Sequence, residues 1–281
     1  MNELKAKTQE LLKKYRITPD PVHFGQHFLV EPGTIDVFVK TCSVTKESRV
    51  LEIGPGLGFI TKGLLRKAES VTVFEVDMRF EKLLRDIQKE FKTLHVSISN
   101  ILQNDDFNYD VVCGALSYSI FEPLLRKIFA NEDFRYGVFI VSEKIEKDYE
   151  EHDSVLALLI EAFFEISFVK LLPKQFFYPV PRADGMLIAL KRRNAVSARH
   201  LFLQQLFLQG DKKAKNALRE GLINSSVNQA HVLTKKESRA LLGELTNLRD
   251  SNESIFQCSK EFLKKIYDFF QSYGFDGATL P

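Results

Sequence analysis

Tryptophan is absent from this 281-residue sequence, and cysteine occurs only three times. Cys42, Cys113 and Cys258 lie far apart and form no Cys-x-x-Cys pair, so neither a disulfide framework nor a metal site is expected. A reducing cytoplasm is the expected setting. No apolar run is long enough to span a membrane. The N-terminal stretch sets Lys5, Lys7, Lys13 and Lys14 among leucines and lacks the apolar core of a signal peptide. Charge of one sign is also missing: 39 basic against 37 acidic residues leave a net +2, so any RNA contact must come from local patches. What is plentiful is phenylalanine, at 24 residues, which reads as core packing. The length suffices for one large core plus a smaller domain, and no internal repeat or low-complexity tract interrupts it.

Residues 1–18 read as an amphipathic helix stopped by Pro19 and Pro21. After a loop through Leu29, short apolar runs alternate with helical patterns. Expected strands are Arg49–Ile53, Val71–Glu75, Leu94–Ile98, Tyr109–Cys113 and Gly137–Val141, with helices at Phe59–Lys67, Arg79–Phe91 and Phe121–Phe129. That alternation predicts a parallel sheet covered on both faces. Beyond residue 151 the spacing predicts a helix over Leu156–Phe164 and strands at Ile166–Leu171 and Met186–Leu190. Between those strands, Pro179 and Pro181 enforce an extended segment. Only helices follow: Arg199–Gln209, Ala214–Ile223, Lys235–Leu242 and Lys260–Ser272. The expected division is therefore a sheet domain over residues 1–193 and a helical domain over residues 195–281.

The strongest local signal is Gly54-Pro55-Gly56-Leu57-Gly58 after the first strand. Glycines permit a tight turn and close approach of a ligand to the backbone, and the following helix presents amides to an anionic group. Phe59 stands where a dinucleotide fingerprint has its third glycine. This argues against NAD and for S-adenosylmethionine, with the turn at the cofactor's amino-acid end. Glu75, at the end of the second strand, suits two ribose hydroxyls, whereas Asp77 suits a solvated helix cap. Asn100 after the third strand fits the cofactor adenine or an ordinary turn equally well. Tyr118 could stack on a flat base, but the residues alone favour an ordinary helix-capping turn with Ser117 or Ser119 as N-cap.

The order of these motifs resembles the ribosomal RNA adenine dimethyltransferase family. Phe24-Gly25-Gln26-His27-Phe28-Leu29 is similar to that family's F-G-Q-N-F-L, Leu51–Gly58 to its L-E-I-G-P-G-x-G, and Glu75-Val76-Asp77 to its E-x-D. Glu143–Lys147 lies where the family has a Q-x-E stretch. Phe177–Gly185 resembles F-x-P-x-P-K-V-D-S, Lys212–Leu218 resembles R-R-K-x-L-R-N-x-L, and Arg249–Phe262 resembles R-x-E-x-L-S-x-x-x-F. The resemblance runs from about Pro21 to Phe270. It implies an α/β, class I S-adenosylmethionine-dependent methyltransferase fold: a Rossmann-like, seven-stranded, mostly parallel sheet with a small C-terminal all-helical domain. It implies dimethylation of adenine N6 in small-subunit rRNA by a monomer, with His27, Leu29, Gly54, Gly56, Glu75, Asn100 and Ala115 around the cofactor. Lys191, Arg192, Arg193, Lys212, Lys213, Lys215 and Arg219 are the candidate phosphate contacts; a solvated charged face explains them equally well.

The departures fall in the site itself. The family's catalytic N-L-P-Y stands here as Ala115-Leu116-Ser117-Tyr118, its G-D-A-L as Ser99-Asn100-Ile101-Leu102, and its F-G-Q-N carries His27 in place of Asn. In the family, the Asn oxygen and the carbonyl after Leu accept the amino hydrogens and localise the N6 lone pair, while Tyr stacks on a base extruded from its helix. Ala115 offers no acceptor, and loss of one preorganised group costs about 10²–10³ in kcat. Ser117 for Pro frees the loop's φ angle. The expectation is thus a slow dimethyltransferase; the alternative is an impaired relative that binds rRNA as a ribosome-assembly or other nucleic-acid-binding factor.

Overall fold

The computed structural model describes residues 3–194, 197–226 and 232–272. The strands are β1 (Phe28–Leu29), β2 (Arg49–Ile53), β3 (Ser70–Glu75), β4 (Leu94–Ile98), β5 (Val111–Ala115), β6 (Tyr136–Ser142), β7 (Phe164–Leu172), β8 (Phe177–Tyr178) and β9 (Gly185–Arg192). The helices of the first part are α1 (Glu3–Tyr15), α2 (Pro32–Thr41), α3 (Phe59–Leu65), α4 (Glu81–Glu90) and α5 (Tyr118–Ile128). They are followed by α6 (Lys144–Glu151), α7 (Val155–Phe163), α8 (Ala198–Leu208), α9 (Ala214–Ser226), α10 (Lys235–Leu242) and α11 (Lys260–Ser272).

Seven strands form one sheet in the order β4-β3-β2-β5-β6-β9-β7. The first five run parallel, and β9 lies antiparallel to β6. This is the seven-stranded, mostly parallel sheet expected. Its interior strand β2 buries Val50, Leu51, Glu52 and Ile53. A strand covered on both faces reads as a continuous apolar run, and Glu52 is the one polar residue in it. The chain turns outward on both sides of β2 between neighbouring strands β3 and β5, which places the following loops along one edge of the sheet. A separate two-stranded pairing sets Phe28 opposite Tyr178 and Leu29 opposite Phe177. It ties the loop before α2 to the proline segment.

Several elements differ from expectation. Helix α2 was not predicted, although Glu31 caps it by accepting from the Gly33 and Thr34 amides and Pro32 stands in its first turn. Helix α6 was not predicted either; it buries only Ile145, so its sequence carries no apolar stripe. β5 starts and ends two residues later than expected, which puts Ala115 on the strand's last position. Among the described residues no strand follows Arg192, as expected for the helical region.

By packing, the chain separates into two compact units: Met1–Glu143 with Ile166–Lys191, and Lys144–Glu165 with Arg192–Pro281. This differs from a single cut near residue 193. The reason is α7, whose Val155, Leu156, Ala157, Leu158, Leu159, Ile160, Ala162 and Phe163 are all buried. A helix apolar on every side needs cover on every side, and α7 packs with α6 and α8 in the second unit.

Candidate active site

The glycine turn follows β2 at the carboxyl ends of the parallel strands. Gly54, Gly56 and Gly58 have φ of 66°, 51° and 75°, a region that side chains rarely adopt. A Cβ on Gly54 would meet nothing within 4 Å, so this backbone faces open space, while one on Gly56 would press the Phe28 ring at 3.2 Å. Helix α3 is only seven residues long, and the turn is tied internally: Gly54 donates its amide to the Phe74 carbonyl, Gly56 to Glu75 and Gly58 to the Pro55 carbonyl.

Glu75 ends β3 beside that turn and is 6% exposed. One carboxylate oxygen accepts the Gly56 amide at 3.1 Å and the other the Asp77 amide at 3.0 Å. Burial raises its pKa, and the two amides offset the rise only in part. Each oxygen keeps a lone pair for a further donor. Asp77 is not the solvated cap expected. It is 3% exposed, and although it does cap the next turn through the Arg79 amide, it also accepts Arg79 Nη2 at 2.6 Å and Gln26 Nε2 at 2.6 Å. Burial pushes its carboxyl up, but those hydrogen bonds outweigh burial and hold it below the usual value. Arg79 also donates to the Thr18 carbonyl and lies over the Phe24 ring. Gln26 Oε1 accepts the Asp20 amide. These bonds clamp the Asp20–Phe28 loop against the end of β3, a role that the sequence did not reveal.

One cavity gathers Phe24–Leu29, Glu52–Leu57, Glu75, Ser99–Ile101 and Ala115–Ser117. His27, Leu29, Gly54, Gly56, Glu75, Asn100 and Ala115 all line it. Asn100 Oδ1 accepts the Leu102 amide at 2.9 Å as a turn cap, and the residue borders the cavity. A second cavity in the same unit is lined by residues that include Pro21, Ile140, Ser142, Phe177, Pro181, Asp184 and Gly185. Gly25, His27, Ala115, Leu116 and Ser117 line both.

The loop after β5 separates the two cavities. Leu116 donates its amide to the Ile140 carbonyl at 2.8 Å. Ser117 is the N-cap residue of α5 at φ −67°, an angle that proline also adopts. Its hydroxyl makes no cap bond and pairs instead with the Ser119 hydroxyl at 2.8 Å. Tyr118 opens α5, and the placement of its side chain lies outside what the structure describes.

Glu52 was not singled out in the sequence. It is 2% exposed and lines the first cavity, and its Oε2 and the neighbouring Thr61 Oγ1 are buried without a hydrogen-bond partner. Burial pushes its pKa up to about 8; the Thr61 hydroxyl beside it opposes this and the charge of Glu75 adds to it.

The basic candidates divide by surroundings. Lys191, Lys212 and Lys213 are exposed. Lys212 reaches Gln209 and Lys215 reaches Asn252, each at 2.7 Å. Arg192 lies over the Phe163 and Phe164 rings. Arg193 donates to the Glu161 carbonyl and pairs with its carboxylate, and Arg219, 16% exposed at its side chain, pairs with Glu220. Arg193 and Arg219 are thus held internally, and the exposed lysines are the freer cations. Among the described residues no group of three or more His, Cys, Asp or Glu side chains is arranged to hold a metal.

The family model for ribosomal RNA adenine dimethylase matches residues 21–263. The chain belongs to the ribosomal RNA adenine dimethylase family. Among relatives of this dimethylase family, the probable ribosomal RNA small subunit methyltransferase A of Pyrococcus abyssi is 27% identical over 268 residues, covering 94% of this chain and 96% of that protein. The Methanosarcina mazei relative of the same description is 31% identical over 224 residues, covering 75% and 80%. A dimethyladenosine transferase structure from Plasmodium falciparum matches the fold with a TM-score of 0.59 at 20% identity, covering 87% of this chain and 98% of that one. The 23S rRNA methyltransferase ErmE matches with a TM-score of 0.57, also at 20% identity, covering 87% and 100%. The fold is that of the class I methyltransferases. Within this family frame, the dimethylase motifs that depart from the pattern, at His27, Asn100 and Ala115–Ser117, all line the first cavity.

Proposed function

We propose that this protein transfers a methyl group from S-adenosylmethionine to N6 of adenine in small-subunit rRNA. The observation that carries the reading is the pair of adjoining cavities divided by Ala115-Leu116-Ser117, one at the glycine turn and one beside the proline segment. Family membership supports the reaction class. In the first cavity, the open backbone at Gly54 lets the cofactor's amino-acid end approach the glycine turn closely, Glu75 accepts its ribose hydroxyls, and Asn100 meets its adenine through the second lone pair of Oδ1. In the second, the target adenine sits with N6 toward the shared loop, where the Leu116 carbonyl is available whatever the side chains are. S-adenosylmethionine supplies a methyl carbon activated by the positive sulfur; the chain orients the amine and keeps water out. Lys191, Lys212 and Lys213 contact phosphates of the RNA.

The test is transfer of a tritiated methyl group from S-adenosylmethionine to unmodified small ribosomal subunits, with cofactor binding measured by calorimetry on the same protein. Label in an adenine of the small-subunit rRNA supports the reading. Cofactor binding with no transfer, while the subunit is still bound, refutes it and leaves the RNA-binding assembly factor. No cofactor binding at all refutes every methyltransferase reading.

A further inference from the structure

An exocyclic amine conjugated to a purine ring is a poor nucleophile, and a group that accepts its hydrogen makes the lone pair available to an incoming methyl carbon. Such a group has to reach both cavities, because donor and acceptor meet between them. Five residues line both, and of these only His27 and Ser117 carry a side-chain nitrogen or oxygen. The Ser117 hydroxyl pairs with that of Ser119, and an alcohol oxygen is too weak a base to take up a proton. His27 Nδ1 lies 2.7 Å from the Pro179 carbonyl oxygen. A carbonyl only accepts, so Nδ1 carries the hydrogen, and the neutral ring has a bare lone pair at Nε2. Among the described residues nothing bonds to that nitrogen.

We propose that His27 Nε2 is a catalytic residue's atom, accepting the amino hydrogen of the target adenine, a role for which Ala115 has no side-chain atom. The proposal rests on the methyltransferase reading above. In the step, the N6 lone pair forms a bond to the methyl carbon. The carbon–sulfur bond breaks with its electron pair returning to sulfur, which yields neutral S-adenosylhomocysteine sulfur. The N6 proton moves to Nε2, giving an imidazolium that later releases the proton to water. The positive charge of the sulfonium is consumed as that of the imidazolium appears, so two cations never face each other in full. The bond from Nδ1 to Pro179 fixes the tautomer and the ring's orientation, and strengthens as the ring gains charge.

The experiment compares single-turnover methyl transfer at saturating cofactor for wild type, His27→Ala, His27→Gln, and His27→Ala combined with Ala115→Asn. Cofactor affinity by calorimetry and a thermal melt accompany each. His27→Ala is expected to slow transfer by about 10²–10³-fold at saturating cofactor. His27→Gln, an acceptor that is not a base, falls between. Adding Ala115→Asn to His27→Ala returns at least about tenfold of the lost rate, because it supplies an acceptor from the other side of the loop. A His27→Ala rate within about threefold of wild type overturns the proposal while leaving the methyltransferase reading intact. A loss that vanishes once cofactor saturates also overturns it, since His27 then only binds the cofactor. If Ser117→Ala abolishes transfer and His27→Ala does not, the acceptor is Ser117. A wild type that transfers no methyl refutes the methyltransferase reading and this proposal with it.

Discussion

Replacing Glu52 with Gln removes a buried acid from β2, and with it that residue's share of the pH dependence of stability. In the folded protein Glu52 holds its proton up to about pH 8, against an ordinary value of 4.5 in the unfolded chain. Between those values the native state carries one more proton than the unfolded state at this position. Stability then falls as pH rises, by about 1.4 kcal/mol per pH unit. The contribution is fully present below pH 4.5 and is lost as pH passes about 8. Across the window it is worth about 5 kcal/mol. Glu75 is raised in the same direction by its own burial, but it is present in both proteins and cancels in the difference to first order. Gln matches the shape of the protonated acid and never ionises. The assay is thermal melting of wild type and Glu52→Gln from pH 5 to pH 8.5 without cofactor. At pH 5 the two should differ little. By pH 8.5 the variant should melt higher by on the order of 10 °C. Melting curves separated by the same interval at every pH would refute the reasoning, because they would mean that Glu52 reaches water or a cationic partner in the folded state.

Gly58→Ala should destabilise the first unit by about 1–3 kcal/mol, because φ is 75° and the new Cβ would stand 2.5 Å from Ile87 Cδ1; denaturant unfolding reads this, and an unchanged midpoint counts against it. Glu75→Ala should weaken S-adenosylmethionine binding about 10- to 100-fold by calorimetry, since it removes charge-assisted acceptors, and equal affinity in both proteins sinks the assignment of Glu75 to the ribose. Ser117→Pro should fold normally and melt slightly higher, by about 0.4–1 kcal/mol in stability, because φ is already −67° and no backbone bond from the Ser117 amide is lost; a marked loss of stability would show that the loop has another shape in solution. Lys212→Glu with Lys213→Glu should weaken binding to small subunits and flatten its dependence on salt, and an unchanged salt slope removes these lysines from the RNA surface.

Much of the sheet was readable from local pattern. The runs at Arg49–Ile53 and Leu94–Ile98 and the helices at Lys235–Leu242 and Lys260–Ser272 lie where the structure has β2, β4, α10 and α11. Each is a short apolar run or an amphipathic stripe bounded by polar residues, and needs no distant information. Helix α2 was missed although its signals were present: an acid before Pro32, then Ile35, Phe38, Val39 and Cys42 at helical spacing. Helix α6 offered nothing to find, with one buried side chain in eight residues. The strand at β5 was ended too early because Gly114 reads as a break; in the sheet its missing Cβ lets the Ile53 carbonyl approach.

The sequence by itself determined the glycine turn, the acid at the end of β3 and the alternation of strands and helices from β2 to β6, because these follow from backbone sterics and from periodicity within a dozen residues. Tertiary structure decided what those pieces do together. His27 meets the Pro179 carbonyl across 152 residues, Asp77 gathers Gln26 and Arg79, and Phe28 pairs with Tyr178. It also decided that Glu52, one letter in an apolar run, is a buried acid whose Oε2 has no hydrogen-bond partner. Burial, tautomer and pKa depend on which distant groups the fold brings near, and no local pattern records that.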